Sequence, residues 1–166
     1  MPRGYVTHAE QNGVHVLRYF GRIDYMSAPA IQRFLDETLA RSGGDEWIFD
    51  LSGAEALDST NLGLLARANS RVLRASGLKA MIISVNDDIN EVLRSMGFDH
   101  LFELVTDMAP PSGARAQPIP PQAASPDELR QTMIDAHRAL VQLSDAGRVQ
   151  FQDVVRCLES DRSHAP

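Results

Sequence analysis

At 166 residues the chain has room for one compact domain and an appendage. Its hydrophobic share of 43% against 23% charged is that of a soluble globular protein rather than a disordered or fibrous one. A net charge of −6 leaves no general attraction to nucleic acid or to an anionic membrane surface.

In chain order, Tyr5–Ala9 and Val14–Phe20 are predicted strands flanking Asn12-Gly13, the strongest short hairpin signal. Gly21-Arg22-Ile23-Asp24 ends the second strand, and Met26-Ser27-Ala28-Pro29 offers a cap followed by a proline tolerated in a first helical turn. Ile31, Phe34, Leu35, Thr38 and Leu39 then recur at helical spacing until Ser42-Gly43-Gly44. Trp47–Leu51 is largely apolar and predicts a central strand. Asp58-Ser59-Thr60-Asn61 follows as a turn into a second amphipathic helix carrying Leu62, Leu65, Ala66, Asn69, Val72 and Leu73, which Gly77 closes. Ala80–Val85 is a further buried strand, Asp87-Asp88 caps a short helix with Ile89, Val92, Leu93 and Met96, and Leu101–Val105 is a final strand. An initial hairpin followed by alternating helices and strands predicts an α/β fold, a mixed sheet of about five strands covered by helices.

Met108 to Ser125 changes character: Ala109-Pro110-Pro111-Ser112-Gly113 and Pro118-Ile119-Pro120-Pro121 favour polyproline geometry and predict an extended linker. Ser125-Pro126-Asp127-Glu128 is a capping box, and Leu129, Met133, Ala136, Leu140 and Leu143 form an apolar seam after it. Gly147 interrupts, and Phe151, Val154, Val155 and Leu158 continue, so the C-terminal piece reads as a helical hairpin or one kinked helix. It is too short to bury its seam alone and needs the main domain or another chain to do so. The expected division is 1–107 as the main domain, 108–125 as linker and 126–166 as helical extension.

Signals for catalysis or metal binding are weak. His8, His15, His100, His137 and His164 are scattered, and none pairs with another histidine or cysteine at ligand spacing. No Gly-rich phosphate cradle or Gly-x-Ser-x-Gly elbow occurs, and no histidine base stands near Ser59 in sequence. The expectation is a non-enzymatic protein with no cofactor and no metal. The lone Cys157, among Val154, Val155 and Leu158, reads as a buried or half-buried structural thiol and suits a reducing compartment. No apolar run approaches the roughly 20 residues that span a bilayer, and Met1–Tyr5 lacks a secretory signal, so a cytoplasmic location is expected.

What stands out is Asp58-Ser59-Thr60. Two hydroxyls behind an aspartate lie at the positive end of a helix dipole, where an anion such as a phosphoryl group is tolerated. The plainer alternative is an N-cap, a contribution of about 1 kcal/mol. Asp24 ends a predicted strand and Asp58 ends a loop, and both are expected at one edge of the sheet near Ser59.

These residues resemble the STAS domains of bacterial anti-sigma-factor antagonists. The likeness runs from about Tyr5 to Val105 and rests on Gly21-Arg22-Ile23-Asp24, Ser27-Ala28-Pro29, Phe49-Asp50-Leu51 leading to Asp58-Ser59-Thr60, and Val92–Phe98. Asn61 stands where the family has glycine and Arg22 where an acidic residue is common. The resemblance implies that Ser59 is a regulatory phosphoacceptor, with Thr60 the second candidate. Asp24, Asp58, Ser59, Thr60, Asn61 and Leu62 would form the partner-binding surface. It further implies an anti-sigma factor with serine-kinase activity as partner, and a metal-dependent serine phosphatase as the reversing enzyme. Direct nucleic-acid binding and membrane insertion are not implied. The alternatives are a non-phosphorylated STAS-like subunit of a larger assembly such as a lipid-transport complex, and a scaffold forming a homodimer through the 126–160 seam.

Overall fold

The computed structural model describes residues 3–109 and 115–163; Pro110, Pro111, Ser112 and Gly113 of the expected linker, and His164, lie outside them. Strand β1 (Tyr5–Gln11) and strand β2 (Val14–Ile23) pair antiparallel through Asn12-Gly13. Asn12 at φ 55° and Gly13 at φ 76° both adopt the left-handed conformation that twists a two-residue turn to match its strands. After a 3-10 turn (Tyr25–Ser27), helix α1 (Ala28–Ser42) begins with Pro29 in its first turn. Strand β3 (Glu46–Leu57), helix α2 (Ser59–Ser76) and strand β4 (Met81–Ile83) follow. Next come helix α3 (Asp87–Ser95), the single-turn helix α4 (Phe98–Leu101) and strand β5 (Glu103–Val105). The cap of α3 is Asn86 rather than Asp87: its side chain accepts from the Asp88 and Ile89 amides.

The sheet runs β5-β4-β3-β2-β1 and then gains a sixth strand. This is β6 (Gln117–Pro118), which lies antiparallel to β1, with the Ile119 amide donating to the Val6 carbonyl. The stretch read as a plain linker therefore covers a sheet edge. A proline is compatible there because an edge strand can spare one amide. The pairs β2–β3, β3–β4 and β4–β5 are parallel, so the fold is α/β with a mixed sheet, as expected.

One main core holds the molecule together, with a smaller cluster of Val16, Ile48 and Ile83 apart from it. Leu17, Tyr19, Phe49, Leu51, Leu65, Ile82, Leu93, Phe98 and Phe102 lie within the main core, virtually without solvent contact. Ala136, Leu140 and Phe151 of the C-terminal helices belong to the same core. Helix α5 (Pro126–Leu143) starts at Ser125, whose hydroxyl accepts from the Glu128 amide, and helix α6 (Asp145–Ser163) folds back along it. The break between them is at Ser144, not Gly147. Ser144 is extended (φ −159°, ψ 163°), and its hydroxyl accepts from the Gly147 amide to cap α6. Gly147 instead sits where the two helices nearly touch, since a Cβ there would stand 2.0 Å from the Leu140 carbonyl oxygen.

Candidate functional site

Parallel pairing of β2 with β3 brings Ile23 opposite Leu57. The next residue of each strand, Asp24 and Asp58, therefore emerges at the same sheet edge, as the sequence suggested. Each caps the helical turn just after it: an Asp24 carboxylate oxygen accepts from the Met26 amide, and an Asp58 oxygen from the Asn61 amide at 3.0 Å. The buried Asn61 side chain joins the two turns, its Nδ2 donating to the Asp24 carbonyl at 3.1 Å and to Asp58 Oδ1 at 2.9 Å. Glycine, which has no side chain, cannot make this bridge.

Ser59 is the first residue of α2 and is half-buried. Thr60, Asn61 and Leu62, by contrast, have 2%, 1% and 5% of their surfaces exposed. Of the six residues expected at the partner surface, Asp24 is exposed and Asp58 and Ser59 are half-buried, while the other three point into the protein. An α-helical turn alternates outward and inward positions within a few residues, so contiguous sequence does not make a contiguous surface.

Helix α5 packs along α2 next to this turn. At Gly63 the two backbones almost meet: a Cβ there would lie 2.2 Å from the Ala136 carbonyl oxygen. One turn away, His137 Nε2 is 2.9 Å from Ser59 Oγ. His137 Nδ1 stands 2.6 Å from the Met133 carbonyl oxygen, which can only accept, so Nδ1 carries a proton. In the neutral ring Nε2 is then left to accept from the Ser59 hydroxyl. A histidine thus stands beside Ser59 that sequence proximity did not reveal, because 78 residues separate the two. The helical spacing of His137 from Met133 and Leu140 in the apolar seam was the available signal. His137 is itself buried, with its ring edge-on to Phe151 at 5.5 Å.

A family model described as "STAS domain" matches residues 5–109, a span that starts with β1 and takes in the Asp24, Asp58 and Ser59 edge. The chain belongs to the STAS domain family. It is 30% identical over 99 residues to the anti-sigma-F factor antagonist RsfB of Mycobacterium tuberculosis, covering 60% of this chain and 79% of that protein. The fold is shared with a crystal structure of an anti-sigma factor antagonist from Mycobacterium paratuberculosis (TM-score 0.54, 22% identity, 61% of this chain and 85% of that one). A putative anti-sigma factor antagonist from Thermotoga maritima is similar to the same degree (TM-score 0.54, 20% identity, 61% and 86%).

Helices α5 and α6 lie beyond the matched STAS span, yet they are held to the STAS domain at several points. Arg33 of α1 bonds Glu128 of α5, and the Ser144 hydroxyl donates to the Met96 carbonyl at 3.0 Å. The apolar seam thus has an intramolecular partner, and burying it does not require a second chain. Two clefts of about 550 and 500 Å³ lie elsewhere. The first is lined by Arg67, Arg71 and Arg74 of α2 with Leu143 of α5, and the second by Trp47, Lys79 and Glu103. Arg67 and Arg71 both bond Asp36 of α1.

Two other readings change. His8 and His15 do pair: His8 Nε2 is 3.0 Å from His15 Nδ1, and His15 Nε2 is 2.8 Å from Asp45 Oδ2. The hairpin register sets Leu17 opposite His8, and His15 is two residues from Leu17, so both rings share one sheet face and stack with Trp47. Desolvation, then the nearby His15, lowers the His8 pKa to about 4. Among the described residues no group of three or more His, Cys, Asp and Glu could hold a metal ion. Cys157 is exposed rather than buried. Phe151 is the buried residue of its stretch of α6, and a position six residues further on a 3.6-residue helix points away from that face.

Proposed function

We propose that this STAS protein is a phosphorylation-switched anti-sigma factor antagonist. In this reading its unmodified form binds and sequesters an anti-sigma factor that has serine-kinase activity, and phosphorylation of Ser59 releases it. A metal-dependent serine phosphatase resets the switch, and the exchange takes place in the cytoplasm. No helix among the described residues is long and apolar enough to cross a membrane.

The observation that carries the reading is the position of the Ser59 hydroxyl at the first residue of an 18-residue helix, behind the Asp58 cap. Phosphate at that place adds about −1.5 to −2 charges and three strong acceptors. The helix dipole and first-turn amides favour them, so the fold tolerates the modification. A partner surface built against the neutral hydroxyl does not: about 3 kcal/mol of added repulsion and desolvation weakens binding more than a hundredfold. Thr60, almost fully buried, is the poorer acceptor. The working division remains residues 1–107 as switch and 126–166 as extension, joined by 108–125.

Co-expression with a serine kinase of the anti-sigma type, followed by peptide mapping, tests the assignment. The expected result is one phosphate on Ser59, absent from Ser59→Ala, with the partner still bound by that variant. Phosphate on no residue of the Asp58–Asn61 turn would sink the proposal.

A further inference from the structure

We infer that the α5–α6 hairpin is a built-in occupant of the Ser59 face, and that phosphoryl transfer to Ser59 and docking of an anti-sigma factor there both require its release. This rests on the switch proposed above and adds a second control to it. The hairpin's occupancy has a polar and an apolar part. In the polar part, His137 takes up the Ser59 hydroxyl at 2.9 Å, with its ring orientation pinned by the Met133 carbonyl. In the apolar part, the backbone of α5 presses on Gly63 so closely that not even a methyl group fits between them.

Phosphorylation has to displace this arrangement, because a kinase must reach Ser59 from the side that α5 occupies. The Ser59 oxygen must form a bond to the γ-phosphorus of a nucleoside triphosphate while the bond from that phosphorus to the bridging oxygen breaks. The nucleoside diphosphate then leaves and the hydroxyl proton is given up to a base. His137 already occupies the approach to that oxygen, and the ring is buried between α2 and Phe151 of α6. A kinase active site must close around that oxygen, and α5, with His137 2.9 Å from it and its backbone against Gly63, stands where it would close. The same helix lies against Gly63 and Ser59, so a partner reading the start of α2 meets α5 first.

Release is feasible because the hairpin is tethered rather than threaded. Beyond β6 it is joined to the sheet only through residues 119–125 and is clamped at its ends by Arg33–Glu128 and Ser144–Met96. A tethered competitor acts at an effective concentration in the millimolar range, so it opposes a partner without any tight intrinsic affinity. A partner that binds only the open form loses apparent affinity in proportion to the open fraction.

The test uses the full-length chain. Position 59 is made reportable by Ser59→Cys in a Cys157→Ser background, which removes the exposed natural thiol, and reaction with N-ethylmaleimide is timed. Adding Ala136→Arg, which places a long charged side chain against Gly63, is expected to speed labelling by about tenfold or more, in line with a mostly closed resting state. Leu140→Arg is the second opening variant, and hydrogen exchange of α5 amides reports in both whether the hairpin has left. Equal labelling rates in a variant whose α5 exchange has accelerated would overturn the gate. So would α5 exchange that neither substitution accelerates, since the docked interface would then not be the one described. In parallel, Ala136→Arg with native Ser59 is offered to the anti-sigma factor and ATP, and phosphorylation about tenfold faster than in the parent is expected. Faster labelling without any partner binding or phosphorylation in either protein upholds the gate and refutes the proposed switch. Faster labelling with partner binding and phosphorylation unchanged from the parent refutes the gating role alone.

Discussion

Replacing Gly63 by alanine should loosen the C-terminal hairpin while strengthening the helix that carries the substitution. In an isolated helix this change stabilises by about 1 kcal/mol, because alanine has less backbone entropy to lose. Here the new Cβ would fall 2.2 Å from the Ala136 oxygen, 2.5 Å from its carbonyl carbon and 2.8 Å from its Cα. All three are backbone atoms, so no side chain can rotate away, and α5 must retreat by about 1 Å to reach ordinary contact. A gap of that size forfeits a quarter to a half of the dispersion energy across the seam. The hairpin residues in the shared core are Ala136, Leu140 and Phe151, and burying a leucine and a phenylalanine is worth about 1.5–3 kcal/mol each. The loss is therefore about 1–2 kcal/mol, within the usual range for overpacking, and it shifts the docked-to-released ratio roughly five- to thirtyfold. Hydrogen exchange followed by mass spectrometry separates the two effects: α5 and α6 peptides should exchange faster, while β3 and β4 peptides keep their protection. Unchanged or greater protection of α5, together with a higher melting temperature, would refute the close approach and everything drawn from it.

Gly147→Ala should act similarly between α5 and α6, since its Cβ would lie 2.0 Å from the Leu140 oxygen, with a cost of about 1–3 kcal/mol read as a lower midpoint in urea. Ser59→Asp should weaken anti-sigma factor binding at least several-fold by calorimetry, though less than phosphate does, because one carboxylate has less charge and fewer acceptors. Acidification should destabilise the protein through His8. Its pKa is lowered from 6.5 to about 4, so the unfolded chain binds the extra proton first, and stability is fully present above pH 6.5 and declines as pH falls toward 4. Allowing for solvent screening of this half-exposed ring, the decline is about 1–2 kcal/mol. Denaturant melts at several pH values should show it and should show less of it in His8→Phe; an equal slope in both would remove His8 as the source.

Much of this protein was legible before any coordinates. Local signals were enough for the Asn12-Gly13 turn, the helix starts at Asp58 and Ser125, and the closure of α2 by Gly77, because capping and turn chemistry act over a few residues, whereas Ser27 makes no cap bond and Asp24 caps the turn before α1 instead. The alternation of strands and helices likewise led to the parallel sheet, and a parallel sheet sets the residues after β2 and β3 side by side. Asp24 and Asp58 come together for that reason, although the sequence ended the third strand at Leu51 and left Asp58 in a loop, where β3 runs on to Leu57. What the chain order could not convey was which distant surfaces would meet. His137 was one scattered histidine until α5 lay on α2 and carried it to Ser59, and Gly63 was an ordinary helical residue until the Ala136 backbone came against it. His8 and His15 needed the hairpin register, and Cys157 needed the orientation of α6, before either could be assigned a neighbour or a face. The apolar seam of α5 stated that it must be covered, as burial energy requires, but a hydrophobic stripe is non-directional and does not name its partner. Only the three-dimensional packing decided that the partner is the helix beginning at Ser59.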